Sequence, residues 1–179
     1  MKTVRVVFVV LVVALLLGGC AATVKRPGPP SASLHVPPSA TSTIYLLVKS
    51  TNGHERSEDW EVFRAEWRTA MGSAATAAGR RFVHLDAMPS GIEEEATVIV
   101  LDVNDYRYLS AGARYGFGVM TGNAYIDADA EFFVAPEMRR VGTRHYATSS
   151  TAWQGVFSAM TSKQVAAIAE QMLKDVDSR

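Results

Sequence analysis

The stretch NAYIDADAEFFV, Asn123 to Val134, alternates more regularly than any other part of the chain. Ala124, Ile126, Ala128, Ala130, Phe132 and Val134 fall on one side, and Tyr125, Asp127, Asp129 and Glu131 on the other. A period of two sustained over this length belongs to a strand with one face on a core and one toward water. Pro136-Glu137 then turns the chain, and MRRVGTRHYATS, Met138 to Ser149, reads as the hairpin partner. The acidic row invites an acid/base or metal reading, but successive same-face residues lie about 7 Å apart. They could share a divalent ion only if a loop closed over them, and the sequence visibly delivers no histidine or further aspartate there. Arg139, Arg140 and Arg144 on the partner strand instead predict cross-strand ion pairs. A polar surface for a binding partner, using Asp127 and Asp129, is the functional reading of the same row; no metal or other cofactor is expected.

Working outward, EEEATVIVLDVNDYRYL, Glu93 to Leu109, is a second strong strand with its core at Thr97 to Val103. Before it, RRFVHLD, Arg80 to Asp86, and STIYLLVK, Ser42 to Lys49, are two more, the latter apolar enough to be buried on both faces. Between these two, Trp60, Phe63, Trp67, Ala70, Ala74 and Ala77 recur at helical spacing. Ser57, Glu58 and Asp59 suit the exposed amides at that helix's start, and Gly79 supplies its stop. At the far end, Thr161 and Gln164 form a capping-box pair ahead of Val165, Ile168, Ala169, Met172, Leu173 and Val176. The order β-α-β-β-β-β-α predicts an α+β fold: a mostly antiparallel sheet of four to five strands with two helices packed on one face.

The remaining segments offer little chemistry. GARYGFGVMTGN, Gly112 to Asn123, is rich in glycine, but it runs into a strand and has no phosphate-binding lysine. Its Tyr115, Phe117, Val119 and Met120 either fold back on the sheet or await a partner or a lipid surface. Trp153, Val156, Phe157 and Met160 are spaced as a helical turn or a compact loop over the core. His35, His54, His84 and His145 show no metal-ligand spacing, and no Gly-x-Ser-x-Gly or His-Glu-x-x-His motif is present. No catalytic residue is expected.

The N-terminal part is different in kind. Lys2 and Arg5 precede VVFVVLVVALLL, Val6 to Leu17, about a dozen apolar residues where a permanent membrane helix needs about 20. Leu17-Gly18-Gly19-Cys20 follows, and it resembles the lipobox of bacterial lipoproteins. That resemblance implies residues 1–19 as a cleaved signal peptide and Cys20, the chain's one cysteine, as the acylated mature N-terminus. Ala21 in the next position favours the outer membrane over the inner, with the folded part in the periplasm. Five of the seven prolines lie between Pro27 and Pro38, so residues 20–41 read as the lipidated cysteine and a semi-extended tether with a reach of about 60 Å. Residues 42–179 remain as one α/β domain. With the leader removed, sixteen basic residues stand against eighteen acidic ones, which is no nucleic-acid binder's balance.

The chain also resembles a set of uncharacterised proteobacterial lipoproteins that share a domain of unknown function. The resemblance is carried by ATVIVLDVNDYRYLS from Ala96, FGVMTGNAYIDADAEF from Phe117 and GTRHYATSSTAWQGVFSAMTSKQVAAIAEQM from Gly142. It implies no activity and no catalytic residue. The element order is similar, in topology alone, to small envelope domains such as the N-terminal domain of TolB. Together these readings predict a non-enzymatic, outer-membrane-anchored accessory module. It would bind an envelope protein through Tyr115, Phe117, Met120, Asp127 and Asp129. The alternative is a module binding a glycan, lipid or peptide, and after that a hydrolase; oligomeric state is left open.

Overall fold

The computed structural model describes residues 24–25, 33–108, 124–149 and 160–178. Six strands form one mixed sheet: β1 (Val24–Lys25), β2 (Thr43–Lys49), β3 (Arg81–Leu85), β4 (Ala96–Arg107), β5 (Tyr125–Ala135) and β6 (Arg139–Ser149). Their order is β1-β6-β5-β4-β2-β3. Two long helices, α1 (Trp60–Ala77) and α2 (Met160–Asp177), and short 3-10 turns at Pro38–Thr41 and His54–Arg56 complete the described elements. The α+β class is as expected from the sequence, with two differences in the sheet. It has a sixth strand, and β2 pairs in parallel with both β3 and β4, so only the β1, β6, β5, β4 half is antiparallel.

The parallel half follows from the long connections. The chain leaves β2, returns through α1 and enters β3 beside β2, which is how a crossover helix produces a parallel pair. Residues 86–95 then cross the other face of the sheet and deliver β4 to the far side of β2. Ile92 from this crossover packs with Ala96, Val98 and Ala135, and Tyr45, Leu85, Phe133 and Met138 lie against them.

The main core lies between the opposite face and the helices. Ile44, Leu46 and Val48 of β2, Ile99, Leu101 and Val103 of β4, and Ala128, Ala130 and Phe132 of β5 are all buried there. From the helices come Phe63, Trp67, Met71 and Ala75 of α1 and Val165, Ile168, Ala169 and Met172 of α2. The alternation read in Asn123 to Val134 is therefore real, with its alanines making room for helices at close range. Helix α1 stops where Gly79 takes φ +69, and the Arg80 amide donates to the Ala75 carbonyl, closing the last turn as a glycine cap does. Its start differs from expectation. The Ser57 hydroxyl meets the His54 carbonyl and the Tyr106 hydroxyl rather than capping the helix.

The core also extends upstream of Ser42. Leu34, Val36 and Ala40 are buried in the main cluster, and the Thr97 hydroxyl donates to the Ala40 carbonyl at 2.8 Å. Leu34 lies so close over β6 that a Cβ added to Gly142 would stand 2.7 Å from its Cδ2. Further upstream, Val24 and Lys25 pair with Thr148 and Ala147 along the edge of β6. The stretch expected to be tether thus contributes a strand and three core residues. Its prolines had masked apolar positions that alternate at Leu34 and Val36. Among the described residues no helix is long and apolar enough to cross a membrane.

Candidate functional site

The face of the sheet away from the helices is covered at one end by the residue 86–95 crossover and is polar at the other. Register sets who meets whom there: Asp102 lies beside Asp129, Asp129 beside His145, and Asp127 beside Ala147. A bulge in β4 makes Asn104 the extra residue between Val103 and Asp105. An extra residue is free of ladder pairing and its side chain is re-aimed. Here the Asn104 amide reaches across and donates to Asp127 Oδ1 at 3.0 Å and to Asp129 Oδ2 at 2.7 Å.

His145 closes the same network from the other side. Its Nδ1 lies 2.9 Å from Asp129 Oδ1 and its Nε2 3.4 Å from Asp127 Oδ2. With a carboxylate facing each ring nitrogen, neither nitrogen is left to activate a hydroxyl, so this is not a nucleophile–base pair. Lys49 meets Asp102 at 3.4 Å, and Arg140 meets Glu131 at 2.7 Å. Lys49, Asp102, Asn104, Asp129 and Glu131 border, with Val100 and Thr143, a shallow groove of about 370 Å³. No group of three or more His, Cys, Asp or Glu side chains among the described residues is arranged to hold a metal ion.

The expected ion pairing across the hairpin is therefore present for Glu131 alone. A second bulge, opposite Phe132 and Phe133, leaves Val141 as the extra residue of β6 and shifts its register by one residue. A one-residue shift sends every later side chain to the other face. Arg140 stays on the polar face, while Arg144 is buried beneath the helices opposite Ala130. Asp127 and Asp129 are held by Asn104 and His145 instead. Neither was legible as a site residue: Asn104 depends on a bulge, and His145 on a register that the bulge decides.

The other expected site residues lie elsewhere. Cys20, Tyr115, Phe117 and Met120 are outside the described residues, as are Trp153, Val156 and Phe157. Gln164 does not act as a capping residue. It is buried within α2, and its amide donates to the Ala124 carbonyl at 2.9 Å, tying the helix to the start of β5. The Tyr146 hydroxyl donates to buried Asp175 at 2.6 Å and ties β6 to the helix's other end.

Two further features escaped the sequence reading. Behind the polar face, Tyr106 stacks on Phe63 with ring centroids 4.2 Å apart, and its hydroxyl donates to Asp59 at 2.7 Å. Burial, with that bond to Asp59 adding to it, pushes the phenol up to about 12. On the helix side, a groove of about 630 Å³ separates the outer edges of α1 and α2, lined by residues including Ala70, Ala74, Ala77, Ala166 and Leu173. Its signal was the alanine-rich end of α1, where side chains are too short to fill the gap.

No family model matches the chain, and no curated protein does. Among solved structures, the chain is similar to a PelC dodecamer from Paraburkholderia phytofirmans at 11% identity and a TM-score of 0.47. That match covers 88% of this chain and 99% of that one. It is also similar to a Xanthomonas campestris protein of the uncharacterised DUF330 family, at 9% identity and a TM-score of 0.45, over 86% of this chain and 90% of the other.

Proposed function

We propose that the protein is a lipid-anchored module of the outer membrane's periplasmic face, and that its domain binds another envelope protein without catalysing a reaction. The observation that carries the binding role is the held pair Asp127 and Asp129. Both are about two-fifths exposed, and Asn104 and His145 hold them in place on the sheet. Carboxylates already ordered in this way lose little freedom when a basic segment meets them, and that favours binding. Three carboxylates line the groove against one cation, Lys49, and that excess of negative charge also steers a basic partner. Tyr115, Phe117 and Met120 would add apolar contacts to the same partner, and the lipobox at Cys20 supports the anchor. The groove between α1 and α2 favours a second reading, a bound glycan, lipid or peptide.

A photo-reactive residue placed at Thr143, on the rim of the polar groove, tests the first reading in intact cells. It should capture one envelope protein, and Asp127→Asn with Asp129→Asn should reduce that capture several-fold. Capture unchanged by the double substitution would overturn the role of the acidic face. A reactive group at Ser73 in the helix groove that alone captured a specific ligand would favour the second reading.

A further inference from the structure

The pairing of β1 with β6 determines where the anchor leaves the domain. Val24 stands opposite Thr148 and Lys25 opposite Ala147, in antiparallel sense. Val24, the described residue nearest Cys20 in sequence, therefore lies at the Ser149 end of β6. Cys20 is four residues from Val24, and four residues span at most about 14 Å. A free tether from Cys20 to Ser42 would reach about 60 Å.

Resting on the lipid anchor proposed above, we infer that β1 is a clamp and that a lipid bilayer is the partner of one end of this domain. The clamp makes the end of the sheet at Ser149 the membrane-facing surface, and the β5–β6 turn the end farthest from it.

Three observations support the clamp. Val24 packs against the main core, so β1 is held by its side chain as well as by its ladder. It also pairs with the edge of β6 at Ala147 and Thr148, where backbone groups would otherwise be unpaired. The surface it selects suits phosphate headgroups: Lys25 of β1, Arg107 at the end of β4 and Lys163 in the first turn of α2 are all exposed there. Gln164 binding the Ala124 carbonyl places that turn of α2 at the same end. Exposed carboxylates also stand at this end: Asp105, which accepts from the Tyr125 hydroxyl at 2.9 Å, and Glu55 and Glu58 after β2, with Arg56 exposed between them.

The chain has one cysteine, and acylation consumes its thiol, so an introduced cysteine in the mature protein is the single labelling site. Ser149→Cys and Glu137→Cys, both at exposed positions, mark the two ends of the hairpin, about 35 Å apart. Each variant would be purified as the full lipoprotein, labelled with a fluorophore and placed in phosphatidylethanolamine–phosphatidylglycerol vesicles carrying a nitroxide on the headgroup. The clamp requires quenching several-fold stronger at position 149 than at 137. Equal quenching, or the reverse order, overturns it. Val24→Pro with Lys25→Pro removes the ladder donors of β1; it should bring the ratio close to one while vesicle binding persists. A ratio unaffected by the prolines would also overturn the clamp. A chain that fails to bind vesicles and keeps a free Cys20 thiol by mass overturns the anchor and the clamp together, whereas equal quenching in a bound chain overturns the clamp alone.

Discussion

His84 shows how burial at one residue becomes a property of the whole protein. Its ring is almost fully covered, its Nδ1 has no partner, and its Nε2 lies 3.5 Å from Asp86. Burial first, and then the positive charge of Arg68, lowers its pKa below the usual 6.5, with Asp86 opposing only in part. The unfolded chain therefore takes up a proton at a higher pH than the folded one. The stability that depends on a neutral His84 is complete above about pH 6.5 and declines as pH falls toward the lowered folded value. We expect the denaturation midpoint of the parent to drop more steeply between pH 7 and pH 5 than that of His84→Gln. Parallel pH profiles would remove this role from His84. The sequence placed His84 on a strand, but its pKa depends on Arg68 and Arg64, which α1 brings to it from about 16 and 20 residues earlier in the chain.

At the scale of elements, the segment before β2 has the largest consequence. Leu34 is fully buried over Gly142, and Val36 and Ala40 complete the same corner of the core. Losing one buried leucine costs about 2–5 kcal/mol. A domain that begins at Ser42 should therefore be less stable by about 2–5 kcal/mol than one beginning at Ser33, and its urea midpoint should be correspondingly lower. Equal midpoints would mean that Leu34 contributes nothing. The strands and helices themselves were legible because a period of two and a period of 3.6 are local properties. The boundary was not, because proline and serine content describes how a free chain behaves, whereas burial of Leu34 needs a surface made from residues more than a hundred positions later.

At the scale of the whole molecule, the two sides of the sheet divide the work. Both helices cover one face, and the polar end of the other is left open for Asp127, Asp129 and Glu131. The anchor and clamp proposed above would set that open face upright beside the bilayer. The anchor itself is tested by Cys20→Ser, which should abolish palmitate labelling and leave the chain at precursor size on a gel. Normal labelling and processing of that variant would remove the anchor, and the clamp with it.

The sequence by itself determined the class of fold and the polarity of its surfaces. Hydrophobic period is written in neighbouring residues, and it marked β2, β4, β5, α1 and α2 and the inward and outward sides of β5. It could not determine the partners of the outward side. Those depend on two bulges, one adding Asn104 to β4 and one shifting β6 so that Arg144 turns inward. Bulges form where strands must bend to keep a core packed on both sides, and that demand exists only once the strands are together. The same holds for the parallel half of the sheet and for β1. Pairing between segments far apart in the chain is decided by which surfaces remain uncovered after the core has closed.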